Sequence, residues 1–435
     1  MEETKLERLR NTDEKPSRRL TLISVFAIGG TSLLIGCLAI TDTQAALNAS
    51  LRGVSVWWEV LFPALFPFFV LSELLLGFGI VHLAGTLLDP FMRPLFRLPG
   101  VGGFIVAMGF VSGYPVGSRL TSRMMEQKLI TRSQGERLVA MTTTSDPIFL
   151  IGAVCIGFFG SLQAAPVLAV AHYSSALLLG IGSRFQWNKT EPEAEAGVVE
   201  PYPGNRFRAA LSAMHRARMA DGRPFGVLLQ QSLQSSLSLM MIVGGLVVFF
   251  SATLDLLVNS GLLSLFRDSI SMLLQGVGLS PNLSPAFMNG MFEVTLGAKA
   301  AAADRTIPLV DRIAVAAFVL SWGGLSVHAQ VAGLMSRTAW RYLPFARARL
   351  MHGLLAMLIV YLIWPWFHVE ENSESTLFAW SSGTLWTNSG AKFDGAFIPL
   401  LSGIPILLLL ILGSIVIAGT IAIGIGKIRM KARKD

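Results

Sequence analysis

Four short stretches of this sequence set polar or helix-breaking residues inside otherwise apolar runs, and chemistry has few other places to reside. The first is Ser112-Gly113-Tyr114-Pro115-Val116-Gly117-Ser118. Gly113 permits dihedrals closed to other residues and Pro115 withholds a backbone donor, so a helix entering this stretch breaks and restarts. The restarting half-helix points unpaired N–H groups and a partial positive charge at whatever lies before it, which suits an anion. A kink that serves only helix packing would use the same residues. The second stretch is Thr142-Thr143-Thr144-Ser145-Asp146-Pro147. A carboxylate at the centre of a bilayer costs roughly 2.5–3.5 kcal/mol on the insertion scale, so Asp146 needs a partner or a wet cavity. It is read as a solute contact, as the cap of the half-helix after Pro147, or as both.

The third stretch holds Asn289, Glu293 and Thr295, and the fourth Trp322-Gly323-Gly324-Leu325-Ser326 with His328. Glu293 is either a proton or cation site or the partner of Lys299. His328 either titrates or packs. Glu73 is placed to pair with a hairpin hydroxyl or with Arg119. Hydroxyls, carboxyls and half-helix ends of this kind bind a solute without covalent chemistry. No nucleophile–base–orienter spacing points to an enzyme. Six scattered histidines and two cysteines, without CxxC or HExxH spacing, point to no metal. The absence of GxxxxGK[ST] argues against nucleotide-driven pumping by this chain. Ser112, Gly113, Tyr114, Pro115, Ser118, Thr144, Ser145, Asp146, Asn289, Glu293 and Ser326 are therefore the expected substrate-binding residues, with no cofactor and no nucleic-acid partner.

The elements that must hold these residues are legible from composition. Only 14% of the 435 residues are charged, where a soluble domain carries about a quarter. Uncharged runs cover Leu20–Ile40, Leu98–Ser118, Leu162–Ser183, Phe225–Leu254, Ile313–Ser336, Leu350–Val369 and Gly395–Gly426. Each approaches or exceeds the ~20 residues that cross a bilayer as a helix. The first is read as a retained span, because its 19-residue leader and 21-residue apolar core outrun a signal peptide. Cys37 and Cys155 lie inside such runs and are expected to pack as small apolar residues.

Lysine and arginine mark cytoplasmic loops. They cluster before residue 20, at Arg93/Arg97, over Arg119–Arg137, Arg184–Arg223 and Arg337–Arg349, and at Lys427–Lys434, whereas Glu370–Asp394 is acidic. One arrangement fits every cluster: spans near 20–40, 57–77, 138–160, 164–183, 227–251, 313–335, 350–368 and 398–424, with both termini cytoplasmic. The stretches 101–118 and 284–303 must then enter and leave on one side, as re-entrant hairpins. The segment 78–97 is read as an interfacial amphipathic helix, 187–224 as a soluble loop, and Trp57-Trp58 as part of an aromatic belt.

Two halves of the chain match weakly at an offset of 180 to 182 residues, with Gly117-Ser118-Arg119 falling on Gly297-Ala298-Lys299. The expected class is an all-α polytopic membrane protein of about eight transmembrane helices plus two re-entrant helical hairpins in an inverted repeat, the architecture of many secondary transporters. Its segments are a basic N-terminus 1–19, a helix and loop 20–56, a first repeat 57–160 and a helix with cytoplasmic loop 161–226. A second repeat 227–336 and C-terminal helices with a basic tail 337–435 follow.

Pro67-Phe68-Phe69-Val70-Leu71-Ser72-Glu73-Leu74-Leu75, Met108-Gly109-Phe110-Val111-Ser112-Gly113-Tyr114-Pro115 and Ser145-Asp146-Pro147-Ile148-Phe149 resemble the YlbJ-type sporulation integral membrane proteins. That family falls in the nucleoside-recognition Gate-domain group, distantly similar to concentrative nucleoside transporters. The resemblance runs from about Leu51 to Trp366. It implies import of dipicolinic acid from the mother cell into the forespore across the outer forespore membrane. One departure matters: Ser145-Asp146-Pro147 stands where relatives are expected to carry Asn-Pro or Ser-Asn-Pro, and an ionised Asp146 would repel a dianion. Cation-coupled nucleoside transport, and a structural or signalling scaffold, are the alternatives. The expected partners are a small solute and the lipid bilayer, with an oligomer or accessory membrane protein also open.

Overall fold

The computed structural model describes residues 18–186 and 206–367, and every regular element in them is helical. The expected span 398–424, the acidic loop 370–394, the basic tail and residues 1–17 and 187–205 lie outside the described residues.

The chain opens with α1 (Arg18–Thr41) and α2 (Thr43–Ser55). Asp42 caps the latter, its carboxylate accepting from the Ala45 N–H at 3.1 Å. A π-wound turn (Val56–Leu61) leads into α3 (Phe62–Gly77). At Phe78-Gly79 the chain turns by 83° into α4 (Ile80–Phe96), with Gly79 at φ 76°. Next come α5 (Val101–Ser112), α6 (Tyr114–Glu126), α7 (Arg132–Thr142), the π-wound α8 (Ile148–Phe158) and α9 (Ala164–Ser183). After α10 (Arg206–Asp221) the order recurs: α11 (Phe225–Asn259), α12 (Ser264–Gly276), α13 (Ser284–Phe292), α14 (Val294–Ala303), α15 (Leu309–Trp322), α16 (Gly324–Met335) and α17 (Tyr342–Ile363). Helices α3 to α9 thus correspond one for one with α11 to α17.

Close packing explains the small residues in the hairpins. A Cβ on Gly117 would lie 2.6 Å from Thr142 Oγ1, and one on Gly297 only 2.4 Å from Gly290 Cα. The arms meet through bare backbone, a contact any larger residue would force apart.

Among the described residues, four helical stretches are long and apolar enough to cross a membrane: Ala164–Ser183, Phe225–Asn259, Leu309–Met335 and Tyr342–Trp366. The bent pair Leu65–Gly77 and Ile80–Phe96 makes a fifth if it counts as one span. The expected span 138–160 is two half-helices, because the hydroxyl-rich stretch and Pro147 interrupt it, and its first half begins earlier at Arg132. There Thr131 and Gln134 form a reciprocal capping box.

Charge alone misplaces several residues. The first hairpin runs on to Glu126, since Arg119 and Arg123 do not end it: both bind the buried Glu73, at 3.0 and 2.7 Å. Arg137 is buried and donates to Phe96 O, to Arg97 O and to Ser183 Oγ. Arg349, read as a loop charge, is wholly buried on α17. Part of the expected soluble loop is α10, packed on α4. Trp57 donates to Met240 O at 3.0 Å and packs against Gly244, a helix–helix contact in place of a belt position, while Trp58 is exposed. Cys155 is buried, but Cys37 is exposed.

Candidate functional site

Each of the four sequence breaks interrupts a helix. Gly113 separates α5 from α6 with φ 80° and ψ −171°, a conformation favouring glycine. Residues Thr143–Pro147 separate α7 from α8, Glu293 separates α13 from α14, and Gly323 separates α15 from α16 with φ 85°. Within each half of the chain the two breaks touch. A Cβ on Gly113 would lie 3.2 Å from Asp146 Oδ2, and one on Gly324 would lie 2.9 Å from the Phe292 carbonyl.

The half-helices that restart after these breaks all open onto one cleft of about 420 Å³ of free space, part of it open to the outside. Tyr114 and Pro115 reach it from the first turn of α6, and Phe149 from α8. Val294 and Thr295 reach it from α14, and Ser326 and Val327 from α16. Asp146, Glu293 and Gln330 also line it, and Leu61, Leu65, Val243 and Val247 form an apolar wall.

Two of the four starts carry a carboxylate cap. Asp146 Oδ1 accepts from the Phe149 N–H at 2.8 Å, and Glu293 Oε2 from the Leu296 N–H at 2.8 Å. Glu293 Oε1 also accepts from Thr295 Oγ1 at 3.2 Å. The other two starts follow Gly113 and Gly323, and no side chain caps them. Hairpin and broken helix exchange roles between the halves: glycine then carboxylate in the first, carboxylate then glycine in the second. Neither Asp146 nor Glu293 has a cationic side chain within ion-pair distance among the described residues. Lys299 is exposed two turns along α14 and does not pair with Glu293.

The other expected site residues stand behind the cleft. Ser112 and Ser145 are fully buried, with hydroxyls that find no partner. Ser118 Oγ turns back to Tyr114 O at 3.4 Å, and Thr144 Oγ1 donates to Gly109 O at 3.4 Å. Asn289 is half-buried, its carbonyl accepting the Glu293 N–H at 2.8 Å. Tyr114, by contrast, bridges the two halves by donating to Leu320 O at 2.7 Å. His328 packs against Trp322, with Nδ1 2.8 Å from Tyr342 Oη and Nε2 3.2 Å from Trp322 O.

Behind the breaks lies a polar layer that the sequence did not reveal. Arg349 donates to Ala140 O and Thr143 O at the end of α7, and to Ser321 O at the end of α15 at 3.3 Å. One guanidinium therefore satisfies orphan carbonyls at both helix C-termini, where the backbone carries partial negative charge. His172 Nε2 accepts from the Ser145 N–H at 2.9 Å, which fixes the proton on Nδ1, 2.8 Å from Ser321 Oγ. His352 stacks on His172 with ring centroids 5.0 Å apart and donates from Nε2 to the His172 carbonyl at 2.9 Å. These two histidines stand 180 positions apart, the offset of the repeat, and that coincidence was the one available signal. Nothing in the sequence separated Arg349 from its loop neighbours, or Gln330 from the apolar run around it.

Known proteins give this geometry a context. The Gate family, described as nucleoside recognition, matches residues 58–165, which span most of the first repeat. The sporulation integral membrane protein YlbJ of Bacillus subtilis is 41% identical over 348 residues, covering 79% of this chain and 84% of that protein. An uncharacterized protein of Alkalihalophilus pseudofirmus is 34% identical over 112 residues, or 25% of this chain and 24% of its own length. No solved structure matches.

Proposed function

Because the chain belongs to the family of the sporulation integral membrane protein YlbJ, we propose that it carries dipicolinate through the cleft between its repeats, from the mother cell into the forespore. Four half-helix starts converging on one cleft carry this proposal. Such ends bind anionic groups through N–H donors and partial charge without a fixed cation, so the solute can also leave. The apolar wall of Leu61, Leu65, Val243 and Val247 suits the face of an aromatic ring. In proteoliposomes the purified protein is expected to take up labelled dipicolinate, with excess nucleoside failing to compete. In a spore-forming host, deletion of the gene is expected to leave dipicolinate synthesis intact and forespores depleted of it. Wild-type spore dipicolinate in the deletion strain overturns the assignment, and a scaffold would show no flux at all.

Cation-coupled nucleoside transport is the second reading. It is favoured by two buried carboxylates that no described cation pairs, and by the description of the Gate family. Nucleoside uptake that follows a cation gradient would select it.

The proposed movement needs an inverted repeat. In this arrangement eight spans, counting 398–424, put both termini in the cytoplasm. The α5–α6 hairpin then enters from the cytoplasm and the α13–α14 hairpin from the opposite face. Single cysteines introduced beside Gly113 and Glu293 are expected to label from opposite sides of the membrane, and cysteines in the α6–α7 connection from the cytoplasm only. Labelling of both hairpins from one face would sink the inversion.

A further inference from the structure

Only half of the converging helix starts in the cleft are closed by the protein itself. Asp146 and Glu293 each occupy one, where a carboxylate satisfies first-turn N–H groups and offsets the dipole. The starts of α6 and α16, helices of 13 and 12 residues, have only glycine before them. At α16 the N–H groups of Gly324, Leu325 and Ser326 have no partner within the helix by position. At α6 Pro115 has no N–H, which leaves the Tyr114 N–H at the tip. A second observation points at a ligand in the same place. Gln330, one turn beyond Ser326, is only 7% exposed and lines the cleft, yet its amide bonds to no described residue. A buried amide without a partner costs about 1–3 kcal/mol, so a group that satisfies it on binding gains that much.

We propose that α6 and α16 hold the two carboxylates of one planar dicarboxylate, with the Gln330 amide donating to the carboxylate at α16. Asp146 and Glu293 then act as built-in counterparts of those carboxylates: each repeat caps one of its helix starts and leaves the other to the solute. This rests on the cleft being the solute site, and it goes further by requiring both carboxylates at once. A monocarboxylate fills one start and leaves the other bare. Ser326 is the third residue of α16, so Ser326→Asp sets a carboxylate inside the first turn and competes for that start.

The test measures binding of dipicolinate and of its one-carboxylate analogue, pyridine-2-carboxylate, to the full-length protein in proteoliposomes. The monocarboxylate is expected to bind about 100-fold more weakly, the loss of one charge-assisted contact set. Ser326→Asp is expected to weaken dipicolinate about 100-fold and the monocarboxylate less than about threefold, while Ser326→Asn changes neither. Gln330→Ala, which adds no charge and so tests the site even if Ser326→Asp fails to fold, is expected to weaken dipicolinate about tenfold. Equal binding of the two acids by the unaltered protein overturns the two-point assignment and leaves dipicolinate transport standing. Absence of dipicolinate binding by the unaltered protein overturns both.

Discussion

Arg349→Met is expected to lower the stability of the detergent-purified protein by about 2–4 kcal/mol and to reduce solute flux at least about tenfold. The guanidinium joins the carbonyl ends of α7 and α15, and so fixes where α8 and α16 begin across each break. Methionine restores most of the buried volume but leaves the carbonyls of Ala140, Thr143 and Ser321 without that donor, at about 1–3 kcal/mol for each one that finds no other. Part of this is offset, because the variant no longer buries a cation that has no carboxylate beside it. Lysine, with one compact ammonium, cannot span two helix ends, so Arg349→Lys is expected to fall between the two. Thermal unfolding in detergent and proteoliposome flux check the order. An Arg349→Met protein with unaltered midpoint and flux would show that the breaks hold their positions without it.

Paired substitutions of Asp146 and Glu293 are expected to separate a cap from a cation site. Removing the cap in Asp146→Ala or Glu293→Ala costs about 0.5–2 kcal/mol each and frees a helix start to compete for the solute. Flux is expected to fall in both single variants and to vanish in the double variant. Membrane insertion should persist, since losing a buried charge favours it. Asp146→Asn keeps an excellent cap without the charge, and Glu293→Gln keeps the size and one acceptor oxygen. If these carboxylates are caps, the amide variants retain dipicolinate flux within about threefold of the unaltered protein, or exceed it because a repelling charge is gone. Should Asp146→Asn abolish flux while nucleoside uptake loses its dependence on a cation gradient, the carboxylates are coupling sites and the second reading replaces the first.

The sequence by itself determined that this is a helical membrane protein and where its helices break. Both follow from local causes. Apolar runs leave the backbone only helix as a way to pair its polar groups in lipid. Gly113, Pro147 and Gly323 end helices through their own dihedral limits, whatever surrounds them. Glu293 declared itself as a lone carboxylate in an apolar stretch, because burying charge is costly enough to be informative. Segment boundaries drawn from charge were less secure. Arg119 and Arg123 belong inside the first hairpin because Glu73, some fifty positions earlier, neutralises them.

What only the tertiary structure decided is which of these breaks meet, and what holds them. Arg349 reaches Thr143 and Ala140 across more than two hundred positions, and His352 reaches His172 across 180. Such contacts leave no periodicity or spacing in a single chain. The exchange of glycine and carboxylate between the repeats was likewise invisible. A cap is defined by the N–H it reaches, and which helix starts share a cleft is set by packing between halves of the chain that the sequence lists far apart.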